Sequence, residues 1–241
     1  MPIFSRMKSV EKSNDKILLI DNNVNRKSWG SNDLRRALRP LTQSSIHIFR
    51  GPQNDFPENI HPYSKIILSG SLTSILENAS WIDRQGLLIS KAIEFKIPIL
   101  GVCFGHQLIA KTLFGATSVG VADKPEFGWT EIKRKNDSVL FQDLPKTFYS
   151  FNSHFDRVIS VNSPFQITAD STLCSIQSFE SRDLNVYGIQ FHPERILDEA
   201  KEIWDESNKK RKAIDFQNYE NGPKLYNIEV GNSIFRNFLS I

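Results

Sequence analysis

The chain has 241 residues and a mass of 27.6 kDa, with 39% hydrophobic and 24% charged residues, which excludes a disordered chain and allows a core without disulfide or metal support. Thirty basic residues against 27 acidic ones give +3, too small a bias to point to a nucleic-acid partner, and two cysteines exclude a disulfide scaffold and suit a reducing compartment. No apolar run approaches a membrane span and MPIFSRMKSVEKSNDK lacks a secretory apolar segment, so the expected setting is cytoplasmic, without membrane partner.

Residues 1–15 are polar and read as a flexible tail, with a single domain over 16–241. KILLID (16–21) is an apolar run closed by an acid, the pattern of a strand buried on both faces. SNDLRRAL (31–38) opens with Ser, Asn and Asp as cap candidates and predicts a short helix. SIHIFR (45–50) and SKIILSG (64–70) follow as strands, and apolar residues from Trp81 to Phe95 recur near helical spacing. PILGVC is a fourth strand, and FGHQLIAKTLFG (104–115) is a helix stopped by Gly115. This alternation predicts an α/β fold, a mostly parallel sheet covered by helices on both faces.

Beyond Gly115 the pieces are shorter: ATSVGVA, GWTEIKR, TFYSFN, DRVISV, FQITA, LCSIQSF and NVYGIQFH, separated by turn residues. They predict a smaller antiparallel or mixed β region that returns to the main sheet. Residues 200–225 carry mixed charge and read as an exposed helix running into a loop. Lys209–Lys212 there reads as a solvated face, with nuclear access as the alternative. VGNSIFRNFLSI (230–241) closes the chain as an amphipathic helix.

Gly101-Val102-Cys103-Phe104-Gly105 joins a strand directly to a helix, with a glycine two residues either side of a potential nucleophile. That is the pattern of a nucleophile elbow: a tight turn whose strained central residue projects from the carboxyl end of the sheet. The thiol sits at a helix N-terminus, whose partial positive charge favours thiolate, and the Phe104 amide faces the same space as an oxyanion donor. A lone cysteine is most simply a buried apolar residue, the reading we keep for Cys174. The symmetric glycines reverse it at Cys103.

A thiol nucleophile requires a base. His192 and Glu194 in GIQFHPE stand two residues apart at a strand end, on one face, where a carboxylate can orient an imidazole. His106 reads as a packing residue, and His47 and His61 have no motif around them. There is no metal-ligand spacing and no phosphate-binding loop, so no cofactor is expected.

Taken together, GVCFGHQ, GIQFHPE and ILSGS (67–71) resemble, in the same order, the motifs of class I glutamine amidotransferases, the triad glutaminases. KPEFGWTEI (124–132) and NSHFD (152–156) resemble further segments of that family. The resemblance implies a flavodoxin-like three-layer sandwich and a Cys103–His192–Glu194 triad that hydrolyses the amide of glutamine, or a γ-glutamyl bond, through a thioester. It implies an oxyanion site from Phe104 and the Gly70–Ser71 turn. Gln107, Ser153 and His154 would lie at the glutamyl pocket. Ser69-Gly70-Ser71-Leu72 departs from the Ser-Gly-Gly-Pro of many relatives and resembles a stand-alone branch that includes fungal proteins and plant γ-glutamyl peptidases. The main expectation is therefore a free hydrolase. The alternatives are a glutaminase subunit that passes ammonia to a separate synthetase, and a non-catalytic family member.

Overall fold

Strand β1, Lys16–Asp21, shows how this sequence builds its layers: Leu18 and Ile20 point into one apolar cluster, Ile17 and Leu19 into another, because successive strand residues face opposite sides. A computed structural model describes residues 15–25, 30–202, 216–218 and 220–241. The expected flexible tail lies outside these residues except for Asp15, and so does most of the charged segment 200–225.

Five strands form the parallel part of the sheet in the order β2 (Ser45–Arg50), β1, β3 (Tyr63–Leu68), β4 (Ile99–Val102) and β9 (Val186–Ile189). Helices α2 (Ser80–Glu94) and α3 (Phe104–Phe114) cover one face, burying Trp81, Ile82, Leu88, Phe104, Leu108 and Ile109. Helices α1 (Ser31–Leu38) and α4 (Ile228–Leu239) cover the other with Leu34, Leu38, Ile234, Phe235 and Phe238. Each fully buried Leu, Ile or Phe contributes about 1.5–3 kcal/mol, so both faces need a cover. This is the three-layer α/β sandwich expected.

Beyond β9 the sheet turns antiparallel through β8 (Ser178–Ser181), β7 (Gln166–Asp170) and β5 (Val119–Arg134). β6 (Thr147–Val158) pairs with β5, and the two-residue β10 (Phe216–Gln217) runs parallel to β5 on its other side. The sequence pieces ATSVGVA, from Val119 on, and GWTEIKR belong to one strand, β5, and TFYSFN and DRVISV, up to Val158, to another, β6. The register of β5 slips between Val121 and Glu126, where Pro125 lacks a ladder donor, and this irregularity breaks the alternation that would mark one long strand. α1 is capped by Gly30 rather than by a polar side chain, and Asp33 accepts a hydrogen bond from the Gly30 amide (3.4 Å). Among the described residues, no helix is long and apolar enough to cross a membrane.

Candidate active site

Three adjacent strands, β3, β4 and β9, deliver the site. Leu68 pairs with Gly101 and Gly101 with Gly188, so Gly70, Cys103 and His192 leave the same edge of the sheet within a few residues of that row. Cys103 caps α3 at φ 50° and ψ −103°, the positive-φ conformation expected of an elbow. A methyl group at Gly101 would run into the backbone of Gly105, and one at Gly105 into the carbonyl and Cβ (2.7 Å) of Leu68. The two glycines therefore let helix and strand approach closely enough to make the turn. The Cys103 amide donates to Ile189 O (2.8 Å), tying the elbow to β9.

His192 lies beyond the end of β9, in an isolated bridge where its amide donates to Phe151 O of β6 (2.7 Å). The expected strand geometry for His192 and Glu194 does not hold: β9 stops at Ile189, and the two side chains meet across a turn closed by Arg195 N donating to His192 O (3.2 Å). They do meet, with Nδ1 of His192 2.7 Å from Oε1 of Glu194. Burial alone would push the His192 pKa down, but Glu194 and a hydrogen bond with the Cys103 side chain hold it up at about 9. Burial would push Glu194 up, and His192 and Arg195 outweigh it, keeping the carboxyl below its ordinary range.

The Glu194 turn is braced from two helices. Arg36 of α1 donates to Glu194 O (2.9 Å), and Arg195 pairs with Asp33 (2.6 Å). Gly231 of α4 packs against the backbone of Pro193, where a methyl group would collide. The bulky Pro193 and the small Gly231 thus fit helix α4 onto the turn.

Gly70 sits beside the pair: a methyl group there would lie 2.8 Å from His192 Cε1 and 3.5 Å from Cys103 Cβ. Phe104 is the first residue of α3, so its amide has no acceptor within the helix. Ser71 is spent on the turn itself, its hydroxyl donating to Asn22 O (2.7 Å) and accepting from Thr73 N (3.0 Å).

Gln107 donates through Nε2 to Asp156 O (2.7 Å) and to Gln190 Oε1 (3.1 Å), and Gln190 Nε2 in turn donates to Cys103 Sγ (3.5 Å). Because Asp156 O accepts only, it fixes the direction of the whole string, and a donor reaches the sulfur. Gln190 was visible only as a motif letter. Its contact with the sulfur carries no periodic signal.

His154 is held by Asp156 O at Nδ1 and Glu126 Oε2 at Nε2, both 3.1 Å, with no contact to Cys103 among its hydrogen bonds. Ser153, half-buried, lies on the opposite face of β6. Glu126, His154 and Cys174 bring potential ligand atoms within 4.8 Å of one another. However, Glu126 also accepts from Ser171 (2.7 Å) and Gln177 (2.6 Å), and burial pushes the Cys174 thiol up to about 12. The cluster is satisfied by its own hydrogen bonds, and a cation would have to break them.

His106 is fully buried against Phe179 (ring centroids 4.6 Å), and a methyl group at Gly188 would lie 2.5 Å from its Nδ1. The glycine of GIQFHPE thus makes room for the histidine of GVCFGHQ. Burial, aided by His154, lowers the His106 pKa to about 3. The packing role read from sequence fits this position.

The family profile "Glutamine amidotransferase class-I" matches residues 26–207. A subunit of the glutamine-hydrolysing GMP synthase of Methanobrevibacter smithii is 44% identical over 152 residues, 63% of this chain and 78% of that protein. Its counterpart in Methanococcus aeolicus is 36% identical over 120 residues, 50% of this chain, and the match spans 63% of that protein, just under two thirds of its length. A glutamine amidotransferase of Thermotoga maritima has the same fold, with TM-score 0.75 and 24% identity over 94% of this chain and 97% of the other. These relatives are not γ-glutamyl peptidases, which corrects the branch suggested by the Ser-Gly-Ser turn. The turn offers its backbone to the site while the Ser71 hydroxyl holds the loop, so its third residue says little about branch. On the breadth of the profile match, the chain belongs to the class I glutamine amidotransferase family.

Proposed function

We propose that this chain hydrolyses the side-chain amide of glutamine through a Cys103 thioester and passes the ammonia to a separate synthetase of the GMP synthase type. The observation that carries this reading is Cys103 on a positive-φ elbow, with Cys103 and His192 packed around the same Gly70 and the His192 Nδ1 2.7 Å from Glu194. The partner follows from the names of the matched relatives, which are single subunits of glutamine-hydrolysing GMP synthases. On this reading residues 16–241 work as one domain.

The Cys103 sulfur attacks the carboxamide carbon of glutamine, and the carbonyl electron pair moves onto oxygen, facing the amides of Gly70 and Phe104. His192, protonated at neutral pH with its pKa near 9, gives its proton to the departing nitrogen. Ammonia leaves and the thioester remains. The ring is now neutral and takes a proton from water, which attacks the thioester, releases glutamate and restores the pair. Glu194 holds the ring in place and supports its charge. Gln107 has both amide protons committed, so it offers the substrate only Oε1, an acceptor suited to the α-ammonium group. His154 supports Gln107 at one remove, through the shared Asp156 carbonyl, while Ser153 faces the other side of β6. Cys103 and His192 keep 4% and 3% of their surface exposed, which suits a slender terminal carboxamide.

The test is glutamate release from glutamine by the purified chain, alone and in the presence of a GMP synthetase partner. Turnover that rises with the partner and vanishes in Cys103→Ser is the expected result. Full turnover by Cys103→Ser would refute the covalent scheme. Preference for γ-glutamyl peptides without a partner would return the chain to the stand-alone reading.

A further inference from the structure

The oxyanion turn is held by a residue that no motif singles out. Asn22, fully buried, follows β1 directly. Its backbone amide donates to Ser69 Oγ (2.9 Å), its side-chain Nδ2 to Ser69 O (2.8 Å), and its carbonyl accepts from Ser71 Oγ (2.7 Å). Ser69 Oγ then donates to Gly70 O (2.8 Å), which Asn23 Nδ2 also approaches at 3.4 Å. Gln85 of α2, equally buried, donates Nε2 to Asn22 Oδ1 (2.6 Å) and so fixes which edge of the Asn22 amide faces the turn. Gly51 leaves space for Gln85, since a methyl group there would lie 2.6 Å from its Nε2.

In a planar trans peptide the carbonyl and the N–H point in opposite directions. A bond from Asn22 to Ser69 O therefore turns the Gly70 N–H away from Asn22, at a glycine that packs against Cys103 and His192. We propose that Asn22, locked by Gln85, is a positioning residue that aims the Gly70 amide at the oxygen that becomes negative when Cys103 attacks a carbonyl. Neither residue touches the reacting atoms. The inference rests on the acyl-transfer reading of the site but not on glutamine as its substrate.

Asn22→Asp keeps the shape of the side chain and replaces the donor by an oxygen that repels Ser69 O. Gln85→Met leaves Asn22 free to turn its amide over. On the full chain, two reactions of Cys103 separate aim from integrity. Acylation by p-nitrophenyl acetate passes through an oxyanion, whereas alkylation by iodoacetamide does not. Acylation should fall about 30- to 100-fold in Asn22→Asp and about 3- to 10-fold in Gln85→Met, somewhat less than loss of a whole oxyanion donor. Alkylation should stay within about twofold, and kcat for glutamine should fall with acylation while KM holds. Equal loss of both reactions, or loss of neither, overturns the proposal. If Asn22→Asp does not fold, as judged by circular dichroism, Gln85→Met decides by the same ratio. A wild type that acylates but does not hydrolyse glutamine even with a GMP synthetase partner defeats the glutaminase reading alone.

Discussion

Replacing Glu194 by Gln keeps the shape of the side chain and removes its charge from a ring nitrogen 2.7 Å away. The gap between the ordinary 6.5 of histidine and about 9 at His192 corresponds to roughly 3 kcal/mol of preference for the protonated ring. Glu194 is the leading group that raises it against burial, so the variant ring should titrate at or below 6.5. At pH 8 few molecules then carry the proton that the leaving nitrogen needs, and the ring has lost its orienting partner. We expect kcat at pH 8 to fall about 10²- to 10³-fold. The basic limb of the pH–rate profile for glutamate release should move from near 9 to below about 7. The fold should respond as well. A ring with a higher pKa folded than unfolded stabilises the protein fully below 6.5 and loses that contribution as pH rises through about 9. Urea midpoints of the wild type should therefore decline between these values, and those of Glu194→Gln should not. A variant whose basic limb stays near 9 with kcat close to wild type would refute the electrostatic account of the pair.

Gly70→Ala places a methyl group 2.8 Å from His192 Cε1; glutamate release should drop at least about 10²-fold with little change in melting temperature, read by kinetics and calorimetry side by side. Gly105→Ala drives a methyl group into Leu68 and should cost about 1–3 kcal/mol of stability in urea titrations, besides impairing the elbow. His106, with its pKa lowered to about 3, supports the fold above 6.5 and withdraws that support as pH falls toward 3. His106→Leu should therefore shift the acid unfolding midpoint downward by circular dichroism, and an unchanged midpoint would assign acid unfolding to other groups.

The strands 16–21 and 45–50 and the helix 31–38 were legible residue for residue, because apolar runs and polar boundaries coincide there with single elements. The elbow was legible because a glycine-flanked cysteine between strand and helix states a backbone requirement in its letters. The long β5 was not, since Pro125 and its charged neighbours interrupt the alternation that would announce one strand. Nor were Asn22, Gln85, Glu126 and Gln190 legible as parts of the site. Their partners lie 28 to 87 residues away, and buried polar pairing leaves no period in the sequence. His192 and Glu194 meet as their spacing suggested but through a different local geometry, because a turn can bring two side chains together as well as a strand face can.

Since Gly70, Cys103 and His192 hang from three neighbouring strands in the middle of the sheet, their spacing is inherited from the hydrogen-bonded ladder rather than from any loop that could open alone. Reactive geometry and global cooperativity become one property. If Cys103 is the nucleophile, as proposed, partial denaturation should leave a mixture of fully competent and fully inert molecules rather than a population of weakened ones.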